Sequence, residues 1–337
     1  MNRETIRSLL TDTGEAVAAE VRRILLNTPL EVRTRVHGHT GSDVIYDIDH
    51  EVEGIVVDHI SRNARSLGGI VLIAEGIGAD EKTVYPTGMP EQDAALRIII
   101  DPIDGTRPIM YDKRSAFFLA GASVNRGEST TLADVEVAVM VEIPTTRAGV
   151  SDTLWAHRGS GAYGERIVHA TGERQAFRPQ PSSNPSIKKG FVQFVRFFNP
   201  GKEEIAAIED ALMAKLFPDA EHGESLTFED QYLSTGGQLY ELLTGKDRLV
   251  VDVRSALYRK HERTGRRTGH PCHPYDLAAC LIASEAGIIL TRLSGMPFDA
   301  PMDTLSGADW IGYANQSIRN EVESVLTQLL REYDLVP

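Results

Sequence analysis

Apolar positions recur twice at helical spacing in the first fifth of the chain. Ile6, Leu9, Leu10, Val17, Val21, Ile24 and Leu25 lie between acids and bases and predict an amphipathic helix to about residue 28. Val52, Ile55, Val56 and Ile60 repeat that spacing and predict a second helix over 49–66. The pattern then changes. Short apolar runs at 69–74, 96–101, 115–124, 133–143 and 152–158, divided by Gly, Asn and Pro clusters, predict strands. Two helices followed by a run of strands is an α+β order, not the strict alternation of a doubly wound sheet. The Pro- and Ser-rich stretch 178–187 reads as a linker. Beyond it the pattern predicts strands at 190–197, 247–252 and 287–293, and helices at 201–216, 229–244, 274–286 and 316–332. The expected organisation is an N-terminal α+β domain over 1–183 and a C-terminal α/β domain over 184–337.

Bulk properties narrow the partners. A chain of 337 residues can bury the cores of two domains, and 42% hydrophobic with 25% charged residues is ordinary for a soluble protein. A net charge of −13 argues against a nucleic-acid polymer, since nothing would release counterions along a long footprint. It leaves room for a small phosphorylated substrate bridged by cations. Cys272 and Cys280 are too few for a disulfide framework, which points to the cytoplasm. The N-terminal segment reads as a packing helix rather than a leader, and the apolar runs at 68–74 and 96–100 are too short to cross a bilayer, so no membrane partner is expected.

The chemistry concentrates in residues 96–106. A buried strand rich in Ile runs into Asp101-Pro102-Ile103-Asp104-Gly105-Thr106. Paired acids at the end of a buried strand repel each other and are costly to desolvate, so they imply a cation between them. Gly105 and Thr106 add backbone N–H groups and a hydroxyl suited to a phosphate oxygen. A plain Asp-Gly turn explains much less of this hexapeptide.

This hexapeptide resembles the signature of the inositol monophosphatase superfamily. That family comprises Mg²⁺-dependent, lithium-sensitive phosphatases, with fructose-1,6-bisphosphatases and 3′-phosphoadenosine phosphatases among them. Further stretches are similar in order and spacing from residue 40 to about 320. Val71–Gly76 resembles the family's Gly-Glu-Glu element, with Gly76 in place of the second Glu. Asp43–Glu53 resembles Asp-x-Val-Thr-x-x-Asp-x-x-x-Glu and aligns Asp49 as a site acid that also caps a helix. Pro274–Gly287 resembles Trp-Asp-x-Ala-Ala followed by Glu-Ala-Gly-Gly, with Tyr275 replacing Trp, and Ser294–Asp299 resembles Thr-Gly-Gly-Pro-Phe-Asp.

The resemblance implies an αβαβα layered sandwich and a homodimer. It implies Glu75, Asp101, the Ile103 carbonyl, Asp104 and Asp276 as ligands to two or three Mg²⁺ ions. Mn²⁺ is a possible substitute and Li⁺ an expected inhibitor. Glu75 and Thr106 would orient the attacking water, with Asp49 beside them. Asp104, Gly105 and Thr106 would meet the phosphate, while Ser234, Thr235 and Asp252 would line the pocket for the rest of the substrate. Hydrolysis would be direct, without a phosphoenzyme. A sugar or cyclitol monophosphate is the leading substrate class. A bisphosphate, or a catalytically silent metal- and phosphate-binding module, is the alternative.

Two further departures matter. Arg107-Pro108 replaces the usual Thr-Asn after the motif. Between Asp252 and Asp276 the chain inserts Arg254, Arg259, Lys260, Arg263, Arg266 and Arg267, with His261, His270 and His273. These either read a second anionic group on the substrate or form a solvated loop or dimer contact. Cys272 with His270 and His273 is too cramped for zinc and lacks a fourth ligand. Finally, Gly159–Gly164 matches Gly-x-Gly-x-x-Gly, but the following Glu165–His169 reads as a strand, so a hairpin turn is expected rather than a dinucleotide site.

Overall fold

The computed structural model describes residues 2–39, 44–78 and 81–336; Asp43 of the motif therefore lies outside the described residues. Helix α1 (Arg3–Asn27) carries the first apolar stripe, capped by the Asn2 side chain accepting from the Thr5 N–H. A short helix α2 (Leu30–Arg33) and the paired strands β1 (Val36–His39) and β2 (Val44–Tyr46) lead to helix α3 (Asp47–Ala64). There follow β3 (Ile70–Ala74), β4 (Lys82–Tyr85), β5 (Leu96–Asp104), helix α4 (Thr106–Met110) and β6 (Ala116–Val124). Next come β7 (Val137–Ile143), β8 (Val150–His157), β9 (Ala162–Val168), β10 (Glu173–Phe177) and β11 (Phe191–Phe194). The remainder is α5 (Lys202–Leu216), α6 (Thr235–Leu243), β12 (Asp247–Asp252), α7 (Arg254–Arg263), α8 (Cys280–Glu285), β13 (Ile289–Thr291), β14 (Trp310–Tyr313) and α9 (Gln316–Glu332).

Among the described residues an eight-stranded sheet runs β10-β9-β8-β7-β6-β5-β3-β4, antiparallel except between β3 and β5. A four-stranded sheet runs β11-β12-β14-β13. Helices α1 and α3 pack together over one face of the larger sheet. Its other face carries α6, α8 and a 3-10 turn at Tyr275–Leu277, and α6 and α8 also contact the smaller sheet. Helices α5 and α9 pack together against β11 and β14. The layers thus alternate helix, sheet, helix, sheet, helix, as the expected α+β sandwich requires. The continuous Ile run of β5 follows from this burial on both faces. Ile98 and Ile100 pack with α1 and α3, whereas Ile99 joins the core on the opposite side.

The Gly159–Gly164 segment is the β8–β9 hairpin, with Ala156 paired to Ala162. Its Gly159 and Gly161 N–H groups both donate to the Glu285 carboxylate at 2.7 Å, tying the hairpin to α8. Some expected boundaries move. The helix expected from 229 starts at Thr235, because the Ser234 hydroxyl accepts the Gly237 N–H and fixes the cap there. The helix expected over 274–286 divides into the 3-10 turn and α8. Strands β4 and β10 escaped detection because their residues are largely exposed or half-buried, without the apolar alternation that marks a strand. Strand β14, four buried residues long, is too brief for its period to be read. No helix among the described residues is long and apolar enough to cross a membrane.

Candidate metal and phosphate site

Strands β3 and β5 run parallel, so their carboxyl ends open on the same edge of the sheet. Glu75 follows β3 directly, its N–H donating to the Ile100 carbonyl at 3.3 Å. On β5 the ladder to β6 slips: Asp101 faces Leu119 and Asp104 faces Phe117, so three steps on one strand oppose two on the other. Pro102, without an N–H to offer the ladder, occupies this bulge. Asp101 Oδ1 accepts the Ile103 N–H at 3.0 Å and locks the bend. Gly105 then takes a left-handed φ of 98° to start α4, a conformation that costs a glycine little.

Asp276 arrives from the 3-10 turn between the sheets. Its Oδ2 accepts the His273 N–H at 2.6 Å. Gly121 on β6 admits that turn, since a Cβ there would lie 2.4 Å from the Ala278 carbonyl oxygen. As a result Asp276, distant in sequence, joins Asp101 and Asp104, and the three bring carboxylate oxygens within 4.8 Å of one another. Glu75 lines the same cleft, and the Tyr275 hydroxyl donates to its Oε1 at 3.4 Å.

Three carboxylates this close cannot all be comfortable as anions. Burial, reinforced by Glu75, Asp104 and Asp276, pushes Asp101 well above the usual carboxylate range. Burial likewise pushes Asp104 up to about 6 and, with Asp104 beside it, Asp276 up to about 8. Hydrogen bonds at the start of α6 oppose the rise at Asp104: its Oδ2 accepts the Gly236 N–H and, at 2.9 Å, the Ser234 hydroxyl. Hard carboxylate oxygens converging in one cleft fit a divalent cation such as Mg²⁺, whose charge would restore the ionised forms.

The Thr106 hydroxyl has one hydrogen and two acceptors in reach, Asp49 Oδ1 at 2.8 Å and the Ile103 carbonyl oxygen at 2.9 Å. Asp49 Oδ2 accepts the Tyr46 N–H at 2.8 Å. One carboxylate oxygen therefore caps α3, and the other holds Thr106. The side chain that Thr106 bonds directly is Asp49, while Glu75 and Thr106 both line the cleft.

Two expected substrate contacts also change. Asp252 is fully buried, and both its oxygens accept from Arg254, with Nη2 at 2.6 Å from Oδ2. Arg254 lines the cleft and Asp252 does not, its oxygens being engaged by the guanidinium behind the wall. Ser234 lines the cleft but directs its hydroxyl to Asp104. Ile103, Gly105 and Thr235 line the cleft.

The basic insertion is mostly a folded element whose charges meet acids elsewhere in the chain. It forms α7, where Arg259 meets Asp309 at 2.6 Å and Arg263 meets Asp334 at 2.9 Å. Arg266 and His261 both bond Glu204 at 2.8 Å. Of this segment only Arg254, His270 and Pro271 line the cleft. Phe197, Phe198 and Leu233 complete the wall and carried no signal in the sequence, being apolar residues in loops. Cys272 lies buried beside Thr235, and burial pushes its thiol far up, which makes it inert as a nucleophile.

No protein-family model matches this sequence, and no curated protein matches it. Solved structures do. Extragenic suppressor protein SuhB from Bartonella henselae is 16% identical, with 96% of this chain and 98% of that one covered at a TM-score of 0.64. An IMPase from Thermotoga maritima is 21% identical, with 98% and 99% covered at 0.57. Fructose-1,6-bisphosphatase from Leishmania major in its holo form is 13% identical, with 98% and 96% covered at 0.64. At these identities the likeness is one of fold.

Proposed function

We propose that this chain, which has the fold of the inositol monophosphatase superfamily, is a divalent-cation-dependent phosphomonoesterase acting on a small sugar or cyclitol phosphate. The observation that carries the reading is the meeting of the Asp101–Asp104–Asp276 cluster with Glu75 and Thr106 in one cleft. A protein that merely bound phosphate would not need a threonine hydroxyl aimed at a half-buried carboxylate beside the acidic cluster.

Glu75, Asp101, Asp104, Asp276 and the Ile103 carbonyl would hold two or three Mg²⁺ ions. Bound there, Mg²⁺ supplies charge neutralisation of the phosphate and acidifies a water. The residues do the rest. Asp49 accepts a hydrogen bond from the Thr106 hydroxyl, so the Thr106 oxygen keeps a lone pair that can accept a hydrogen bond from the attacking water and hold it in line. Gly105 and Thr106 face the phosphate oxygens. Water attack on phosphorus expels the substrate alcohol, with no covalent enzyme intermediate, consistent with the inertness of Cys272.

The experiment is phosphate release from a panel of sugar, cyclitol and nucleotide phosphates with Mg²⁺, with a chelator and with Li⁺. Release that needs Mg²⁺, falls with Li⁺ and disappears in Asp104→Asn supports the enzyme. No release from any ester, alongside normal folding and Mg²⁺ binding, overturns it.

A further inference from the structure

We propose that Tyr275, backed by His273, is a positioning residue whose hydroxyl aims the Glu75 carboxylate at the cation cluster. The inference rests on the phosphomonoesterase reading of the same cleft. The backbone around Glu75 is pinned on both sides. Its own N–H donates to the Ile100 carbonyl at 3.3 Å, and the Gly76 N–H donates to Glu81 Oε1 at 3.0 Å. Gly76 takes a left-handed φ of 71°, and a Cβ there would lie 3.1 Å from Ile45 Cδ1. The position of the family's second Glu therefore brings no side chain. Glu75 remains as one long, rotatable side chain that must be ordered toward the cleft, at a cost in rotamer entropy.

Tyr275 stands where that order is set. It is 1% exposed, lines the cleft, and places its hydroxyl 3.4 Å from Glu75 Oε1 and 3.2 Å from His273 Nδ1. A phenol has a single hydrogen to donate. A carboxylate that holds a cation has none, so the hydroxyl donates to Glu75 and accepts from His273, whose ring hydrogen is thereby assigned to Nδ1. His273 is itself held. Its ring stacks on that of Tyr275 with centroids 5.2 Å apart and planes 10° from parallel, and its backbone N–H donates to Asp276 Oδ2 at 2.6 Å. One histidine thus braces two acids from distant segments, Asp276 through its backbone and Glu75 through the phenol. Hydrogen bonds from behind are the usual means of aiming a cation's ligands.

This link is particular to tyrosine. The family pattern has Trp at this position, and an indole N–H donates but accepts nothing. It could meet a carboxylate, yet it could not take a hydrogen from His273 at the same time. A role in packing alone explains the buried ring but not a hydroxyl set between a carboxylate and an imidazole nitrogen.

The test is calorimetric titration of the chelator-treated protein with Mg²⁺ alone. The native chain is compared with Tyr275→Phe, His273→Leu, His273→Asn and the Tyr275→Phe/His273→Leu double variant, and urea unfolding without Mg²⁺ is measured for each. Tyr275→Phe keeps the ring and should weaken the tightest Mg²⁺ step by about tenfold or more. His273→Leu should weaken it by about threefold or more, and the double variant should be no weaker than Tyr275→Phe, since His273 acts through the hydroxyl. His273→Asn, whose amide nitrogen can stand in for Nδ1, should recover most of the loss. The two His273 variants read the same link without touching the phenol, should Tyr275→Phe prove unstable. Equal Mg²⁺ affinity in the native chain and a folded Tyr275→Phe overturns the proposal. So does a set of losses that follows the urea stabilities instead of the hydrogen bonds, with His273→Asn no better than His273→Leu. Multiplying losses in the double variant overturn the part assigned to His273. A native chain that binds no Mg²⁺ overturns this inference together with the reading beneath it, whereas Mg²⁺ binding without phosphate release overturns that reading alone.

Discussion

Arg254 Nη2 sits 2.6 Å from Asp252 Oδ2, and neither side chain is more than 3% exposed. The two residues are separated by one position at the end of β12, and the Asp252 Oδ1 also accepts the Arg254 N–H. This pair converts what would be an acidic wall into a neutral one, next to a cluster that is already crowded with carboxylates. Removing one partner strands the other. Arg254→Met should therefore cost roughly 3–5 kcal/mol in urea unfolding, while the double change with Asp252→Leu should recover much of it. A single substitution costing under about 1 kcal/mol would show that the buried ion pair is not held as described.

Mg²⁺ should stabilise the folded chain, because the clustered carboxylates repel one another without it. Saturating Mg²⁺ at about a hundredfold over its dissociation constant adds roughly 2.7 kcal/mol by mass action, read as a rise in Tm. Asp104→Asn should lose most of that rise. A chelator-insensitive Tm in the native protein would argue that the acids bind no cation.

Thr106 and Asp49 should act as one unit. Thr106→Ala and Asp49→Asn should each lower kcat by on the order of a hundredfold or more, and the double variant should be little worse than either. Mg²⁺-induced stabilisation should survive in both single variants. Multiplying losses in the double variant would show that Asp49 does not work through Thr106.

Asp247 gives a pH signature remote from the cation site. Burial, with Glu241 and Asp230 nearby, pushes its carboxyl up to about 7 from an ordinary value near 3.8. A carboxyl raised in the folded state favours folding below its unfolded pKa, and that favour is lost as pH climbs through the folded value. Asp247→Asn should thus stabilise the fold more at pH 8 than at pH 5, by a difference on the order of 2 kcal/mol in urea unfolding. A gain independent of pH would assign the effect to something other than this charge.

Gly121 keeps the Asp276 turn against the sheet. Gly121→Ala sets a methyl 2.4 Å from the Ala278 carbonyl oxygen, with the Val135 side chain at 3.1 Å. Stability should fall by about 1–3 kcal/mol and Mg²⁺ affinity should fall with it, since the turn must back away. Calorimetric Mg²⁺ titration checks this, and unchanged affinity would mean that Asp276 is not positioned through the turn.

Local order carried much of this protein. The periodicity of α1, α3 and α9 and the unbroken Ile run of β5 are set by side chains that each segment supplies itself, so they are legible without neighbours. The Asp-Pro-Ile-Asp-Gly-Thr stretch is likewise local: its bulge, turn and first two acids come from six consecutive residues. What needed the folded chain were relations between segments. The closeness of Asp276 to Asp101 depends on Gly121. The pairing of Thr106 with Asp49 depends on how α3 enters the sheet edge, and the silencing of Asp252 depends on a neighbouring arginine turning inward. The basic insertion looked like a recognition surface because its partners, Glu204, Asp309 and Asp334, lie tens of residues away. A charge reads as free in a sequence until the opposite charge that meets it has been placed in space.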